Sequence, residues 1–217
     1  GSLDGCPIRI CGLGSIFSDP AHGGEGHART LIGTLLDRAA TSGAALALLY
    51  PHATLEDGAQ EGFEKVPLRD VALEVAAPAR YGAPMTLVRG GEDRDFAAMA
   101  TMGRVRAEPY RFHLDRDVDF IQHAIARKRL LSGLAAAGAR QLQFFIAEEG
   151  TTAAAYVVIV VEGDLWTLEE CGDRDPSGAR VGALLQALIA REPAERRPTI
   201  RGWLPPHFLP PQVTIAP

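Results

Sequence analysis

The chain reads as an α/β protein whose mixed sheets and flanking helices are divided between two units. Three observations carry this. Short β-branched apolar runs of strand length alternate with longer stretches whose apolar residues recur every three or four positions. A pattern of strand, glycine-bearing loop and amphipathic helix occurs twice, around residues 12–36 and again around 165–189. Between them, residues 76–84 (AAPARYGAP) are rich in Ala, Pro and Gly and show no period. The expected organisation is therefore a first unit over 1–77, a linker over 78–84 and a second unit over 85–217.

In the first unit, Leu3-Asp4-Gly5 is turn chemistry, and a buried strand is expected over 7–17, with β-branched Ile8, Ile10 and Ile16. Asp19-Pro20 breaks it. After Gly23-Gly24-Glu25-Gly26, the residues Ala28, Leu31, Ile32, Leu35, Leu36, Ala39 and Ala40 form one helical face. Ser42-Gly43 stops that helix, and 44–50 is a second buried strand ending at Tyr50-Pro51-His52. Residues 64–68 and 71–75 alternate well enough for a hairpin that closes the unit.

A glycine loop opening a helix has a physical use. The first turn leaves backbone N–H groups without partners, and the helix dipole adds partial positive charge there. Gly24 and Gly26, lacking Cβ atoms, let an anion such as a pyrophosphate approach those amides. The loop has neither the Gly-Lys-Ser/Thr ending of a P-loop nor the three-glycine spacing of a dinucleotide fold.

What the loop resembles is motif A of the GNAT acetyltransferase superfamily, Arg/Gln-x-x-Gly-x-Gly/Ala followed by a Leu-rich helix. Gly26-His27-Ala28 supplies the Gly-x-Gly/Ala, and Leu31 and Leu35 lie on the helix. The strand over 45–50 and Glu61-Gly62-Phe63 fall where GNAT chains place their next strand and Gly-Phe turn. The resemblance implies the acyl-CoA N-acyltransferase fold and acetyl-CoA as cosubstrate, with Ile16 and Phe17 along the pantetheine arm. It puts the amides from Gly24 to Arg29, including those of His27 and Ala28, on the pyrophosphate. It implies a primary amine of a small molecule or a lysine side chain as acceptor, and is compatible with a homodimer. Tyr50 and His52, the titratable groups nearest the expected cleft, become the candidate acid and base. A Tyr at a strand end also serves as packing, and His27 also reads as an exposed turn residue.

Two positions depart from the pattern. The family's Arg or Gln falls on Gly23, and its general-acid Tyr falls on Gly58. A GNAT domain also places three strands and two helices ahead of motif A, which here would come from an upstream segment or from elsewhere in the chain. An acetyl-CoA-dependent N-acetyltransferase therefore competes with a degenerate relative that binds a CoA ester or a partner without turnover. A purely structural module is the third reading.

The second unit follows the GNAT order of elements more fully. A strand over 85–89 leads to a helix with Phe96, Met99 and Met102 on its core side. Residues 110–114 are strand or loop. Asp115 or Asp117 caps a long helix carrying Phe120, Ile121, Ala124, Ile125, Lys128, Leu131 and Leu134, which ends at Gly138. Strands over 142–147 and 153–161 form a hairpin, and 165–171 is a third strand. The second loop and helix follow, with strands over 199–204 and, at the sheet edge, 212–215. Aligning Leu31-Ile32 and Leu35-Leu36 with Leu184-Leu185 and Leu188-Ile189 places Gly24 on Ser177, Gly26 on Ala179 and Ala28 on Val181. The second loop has then lost most of the phosphate-cradling glycines, and Asp173 and Asp175 oppose a polyphosphate. Glu169 and Glu170, side by side on the third strand, are expected to point one inward and one outward, or to form a solvated strand end. Trp166 and Trp203 read as core or interface aromatics.

Composition bounds the rest. At 47% hydrophobic and 23% charged the chain can bury a core, and its formal charge of −5 argues against a general nucleic-acid binder. Arg127-Lys128-Arg129 reads as a solvated helix face. Cys6, Cys11 and Cys171 show no metal-ligand spacing, so no metal is expected, and reduced thiols fit a cytoplasmic protein. No apolar run is long enough to span a bilayer, so no membrane partner is expected.

Overall fold

In a computed structural model, residues 1–14, 16, 19–50, 62–66, 68–77, 86–205 and 207–216 are described. The chain divides into two compact units. One comprises residues 1–67 with Tyr110–Leu114, the other Leu68–Pro109 with Asp115–Pro217.

The first unit begins with a hairpin, β1 (Ser2–Leu3) and β2 (Cys6–Pro7). Asp4 and Gly5 both take positive φ (49° and 77°), the geometry that a two-residue turn needs to match strand twist. β3 (Ile10–Gly14) is followed by α1 (His27–Thr41) and β4 (Leu46–Tyr50). β3 and β4 pair in parallel from Ile10–Leu46 to Gly14–Tyr50, so the helix is the crossover of a βαβ unit. The strand expected over 7–17 is thus shorter. Cys6–Pro7 belongs to a separate hairpin, because the Asp4-Gly5 turn sets its register first. Of the expected helical face only Ile32 is buried, and it shares the core with Leu13 on β3. Leu31 is half exposed.

β5 (Val71–Val75) corrects the expected closing hairpin. Residues 63–66 form no strand, and β5 sits in the second unit's sheet, where Leu73 is buried. Alternation gave the strand but not its partner, which long-range packing chooses. The expected linker over 78–84 lies outside the described residues.

The second unit is a seven-stranded sheet between helices. β6 (Thr86–Gly90) leads to α2 (Phe96–Ala107), β7 (Phe112–His113) pairs with β1 in the first unit's small sheet, and α3 (Val118–Gly133) follows. Then come β8 (Gln141–Glu149), β9 (Thr152–Glu162), β10 (Leu165–Asp173), α4 (Ala179–Ile189), β11 (Thr199–Gly202) and β12 (Val213–Ile215). The order is β12-β5-β11-β10-β9-β8-β6, antiparallel except for β10–β11, with β12 at the edge as expected. Between its exposed ends, Thr152 and Glu162, β9 is a run of Ala, Val, Ile and one Tyr because both its faces are covered. Val157 and Ile159 meet α4 residues Val181, Leu184, Leu185 and Leu188, while Tyr156 and Val158 meet Met99, Met102, Ile121 and Ile125 of α2 and α3.

α3 is capped by Asp117, whose carboxylate accepts from the Phe120 amide at 2.8 Å, and it ends at Gly133 rather than Gly138. Its predicted apolar face was too wide: Phe120, Leu131 and Leu134 are exposed. The basic run is not merely solvated. Lys128 pairs with Glu169, and Arg129 lies over the Phe144 ring at 5.7 Å. Trp166 is core, whereas Trp203 is exposed.

Candidate functional site

In the first unit the chain leaves β3 at Gly14 and reaches α1 through a loop that turns twice on glycine. Asp19 accepts from the Ala21 amide at 2.9 Å, closing the first bend. Gly24 and Gly26 then take left-handed conformations, φ 86° and 80°, which a β-carbon disfavours, while the space beside both is open. Gly26 is the N-cap of α1. It makes no side-chain cap hydrogen bond, and the first turn carries no acidic residue. The helix thus opens on a glycine cap with no acidic residue in its first turn, an arrangement suited to an anion.

His27 is exposed. Its Nε2 lies 2.9 Å from Glu25, whose other oxygen lies 3.2 Å from Nδ1 of His22. Ala28 is half-buried and Arg29 is exposed. Ile16 lies beyond the last ladder pair and is half-buried. Tyr50 pairs with Gly14 at the strand end that feeds the loop and is half exposed. The strands stay paired up to this point, and the residues that follow Tyr50 lie outside the described residues. Phe17, His52 and Gly58 lie outside the described residues. A shallow depression of about 440 Å³, lined by Arg9, Cys11, Leu35, Arg38 and Ser42, lies at the opposite, C-terminal end of α1.

The second unit repeats the topology but not the site. Its helix also starts on a left-handed glycine, Gly178 (φ 70°), so Gly26 corresponds to Gly178. That shifts the sequence alignment by one residue, because the cap and not the apolar pattern fixes the helix start. The second loop has kept its N-cap glycine after all. Its first-turn amides, however, already have a partner within the chain. The buried Asp173 carboxylate accepts from the amides of Asp175 (2.8 Å), Arg180 (2.8 Å) and Val181 (3.3 Å). Arg180 reaches Asp173 at 3.3 Å and grips Glu149 at 2.6 and 3.0 Å. Asp173 is thus a buried carboxylate bonded to the amides of this turn, not a free charge at its mouth.

β10 carries a bulge between Leu168 and Glu170, and its pairing with β11 stops at Leu168–Gly202. The bulge overturns the alternation expected for Glu169 and Glu170. Two successive residues now face the α2–α3 side, and Cys171 returns to the α4 side. Glu169 pairs with Lys128. Glu170, 6% exposed, accepts from Tyr156 and Arg116, each at 2.6 Å. Neither is a solvated strand end. Burial first, and then the Glu170 charge, push the Tyr156 hydroxyl well above the ordinary tyrosine range. Arg106 donates to the Cys171 carbonyl, and burial raises the Cys171 thiol. The signal for this cluster was the adjacent Glu169-Glu170 pair, but only the bulge makes it one site.

Among the described residues, no group of three His, Cys, Asp or Glu side chains could hold a metal ion, and no helix is long and apolar enough to cross a membrane. The three cysteines are free.

No family model matches the chain, and no curated protein matches it. Solved structures do. The whole chain superposes on 55% of a GCN5-related N-acetyltransferase from Anabaena variabilis, at a TM-score of 0.69 and 14% identity. A GCN5-related N-acetyltransferase from Kribbella flavida matches over 92% of this chain and 46% of its own, with a TM-score of 0.62 and 19% identity. A tandem GNAT protein from the clavulanic acid biosynthesis pathway matches 92% of this chain and 67% of its own, at 0.50 and 11%. The chain spans about half the length of the first two. It has the GNAT fold, and its two units are consistent with a tandem arrangement.

Proposed function

We propose that the chain is an acetyl-CoA-dependent N-acetyltransferase acting on a primary amine of a small molecule or a lysine side chain, with the cosubstrate held by the first unit. One observation carries the reading. Of the two loop–helix junctions, that of the first unit opens on left-handed Gly24 and Gly26 with no acidic residue in the first helical turn, while the amides of the second donate to the Asp173 carboxylate. The amides from Gly24 to Arg29 would hold the pyrophosphate, and Ile16 with Phe17 would line the pantetheine arm. Bound there, the thioester supplies an activated acetyl group; Tyr50 and His52 are the candidates for moving the protons. The free cysteines suit a cytoplasmic protein.

Thermal unfolding with and without millimolar acetyl-CoA tests this. Saturation at about 100 times Kd should add about 2.7 kcal/mol, several degrees of Tm. Gly26→Glu, which sets a carboxylate on the loop and strains the left-handed cap, should abolish that shift. An unchanged shift in this variant would sink the loop assignment.

Gly23 in place of Arg or Gln favours a second reading, in which the chain binds a CoA ester without turnover. Stabilisation by acetyl-CoA with no thiol release across a panel of amines is its signature.

A further inference from the structure

We infer that Asp173 is a built-in anion: the second unit retains the anion-binding junction of a βαβ crossover but fills it permanently with a carboxylate of its own. The inference concerns the second unit alone and is independent of cofactor binding by the first.

Three features of the junction converge. The Asp173 side chain is fully enclosed, and both its oxygens accept, Oδ1 from the Asp175 amide and Oδ2 from the amides of Arg180 and Val181. These are the groups that a phosphate at a helix N-terminus would use. Arg180, the cation nearest that position, is turned onto Asp173 and clamped by Glu149, so its charge is already matched. The chain after β11 packs against the start of α4. A Cβ at Gly178 would lie 2.8 Å from Phe208, and one at Gly182 would overlap the Gln212 side chain. Phe208 is itself buried.

The arrangement has a cost and a use. Taking a carboxylate out of water is unfavourable unless hydrogen bonds replace its hydration, and three amides with one guanidinium do so here. In return the junction between β10 and α4 needs no external ligand to hold its shape. Without the carboxylate, the amides of Arg180 and Val181 would lose their partner and become a vacant anion site.

Thermal unfolding of wild type, Asp173→Ala and Asp173→Asn, with and without inorganic phosphate at constant ionic strength, tests this. Asp173→Ala should lose roughly 3–10 °C of Tm. Phosphate should restore part of that loss and raise this variant more than wild type. Hydrogen exchange at the Arg180 and Val181 amides should be slow in wild type, fast in the variant, and slowed again by phosphate. Should Asp173→Ala fail to fold, Asp173→Asn carries the same comparison, because it keeps the volume but sets an NH2 group against amide donors. An alanine or asparagine variant as stable as wild type would overturn the inference. So would a phosphate shift equal in wild type and variant.

Discussion

Tyr156 and Glu170 show how one residue's chemistry depends on its neighbours. The hydroxyl is fully buried and donates to a carboxylate that Arg116 also holds. Tyr156→Phe leaves one oxygen of Glu170 without its donor and should cost about 1–3 kcal/mol, read by urea unfolding. Tyr156 and Cys171 both have folded pKa values raised above their unfolded ones, so their contribution is fully present below the unfolded values. It is lost as pH rises past about 8.5 and then 10. Stability should therefore fall in alkali, and Tyr156→Phe should flatten the upper part of that fall; an unaltered profile would remove Tyr156 as a cause. Arg89 works at the acid end. It binds Asp95 through two hydrogen bonds of 2.7 Å and Glu148 through one of 2.8 Å. Burial pushes the Asp95 carboxyl up, but Arg89 and the Glu92 amide together hold it below the ordinary range. That contribution is complete above about pH 4 and is lost as pH falls further. Arg89→Met should cost about 3–5 kcal/mol, because two carboxylates are left without their cation.

Elements depend on caps and register as much as on apolar pattern. Asp117→Ala should cost about 1 kcal/mol through the lost cap of α3, measured as a shift in the urea midpoint at unchanged m-value. The helices, the β8–β9 hairpin and the β10–α4–β11 crossover were legible because each obeys a local period or turn rule. The bulge in β10 was not. Nothing in Leu168-Glu169-Glu170-Cys171 distinguishes an alternating strand from a bulged one, and only pairing with β9 decides it. The sequence alignment of the two helices missed the correspondence of Gly26 and Gly178 for a similar reason: apolar residues tolerate a shift of one position, whereas a left-handed cap does not.

For the molecule as a whole, the two units differ in how much they bury. Among the described residues the first has Leu13 and Ile32 at its centre, while the second encloses two apolar clusters on either side of β8, β9 and β10. Amides of β3 and β4 should therefore exchange with solvent faster than those of β9 and β10, since local opening needs less apolar exposure. Equal protection would contradict this account.

The amino-acid order by itself determined the α/β class, the two loop–helix motifs, the glycine turns before the first helix and the likeness to the GNAT fold, because periodicity, turn residues and short motifs are local. Tertiary structure alone decided where β5 pairs, that Glu169 and Glu170 share a face, and that the Asp173 carboxylate accepts from the amides at the start of α4. Each of these depends on which distant backbone or side chain arrives at the same point in space, and no local pattern encodes that.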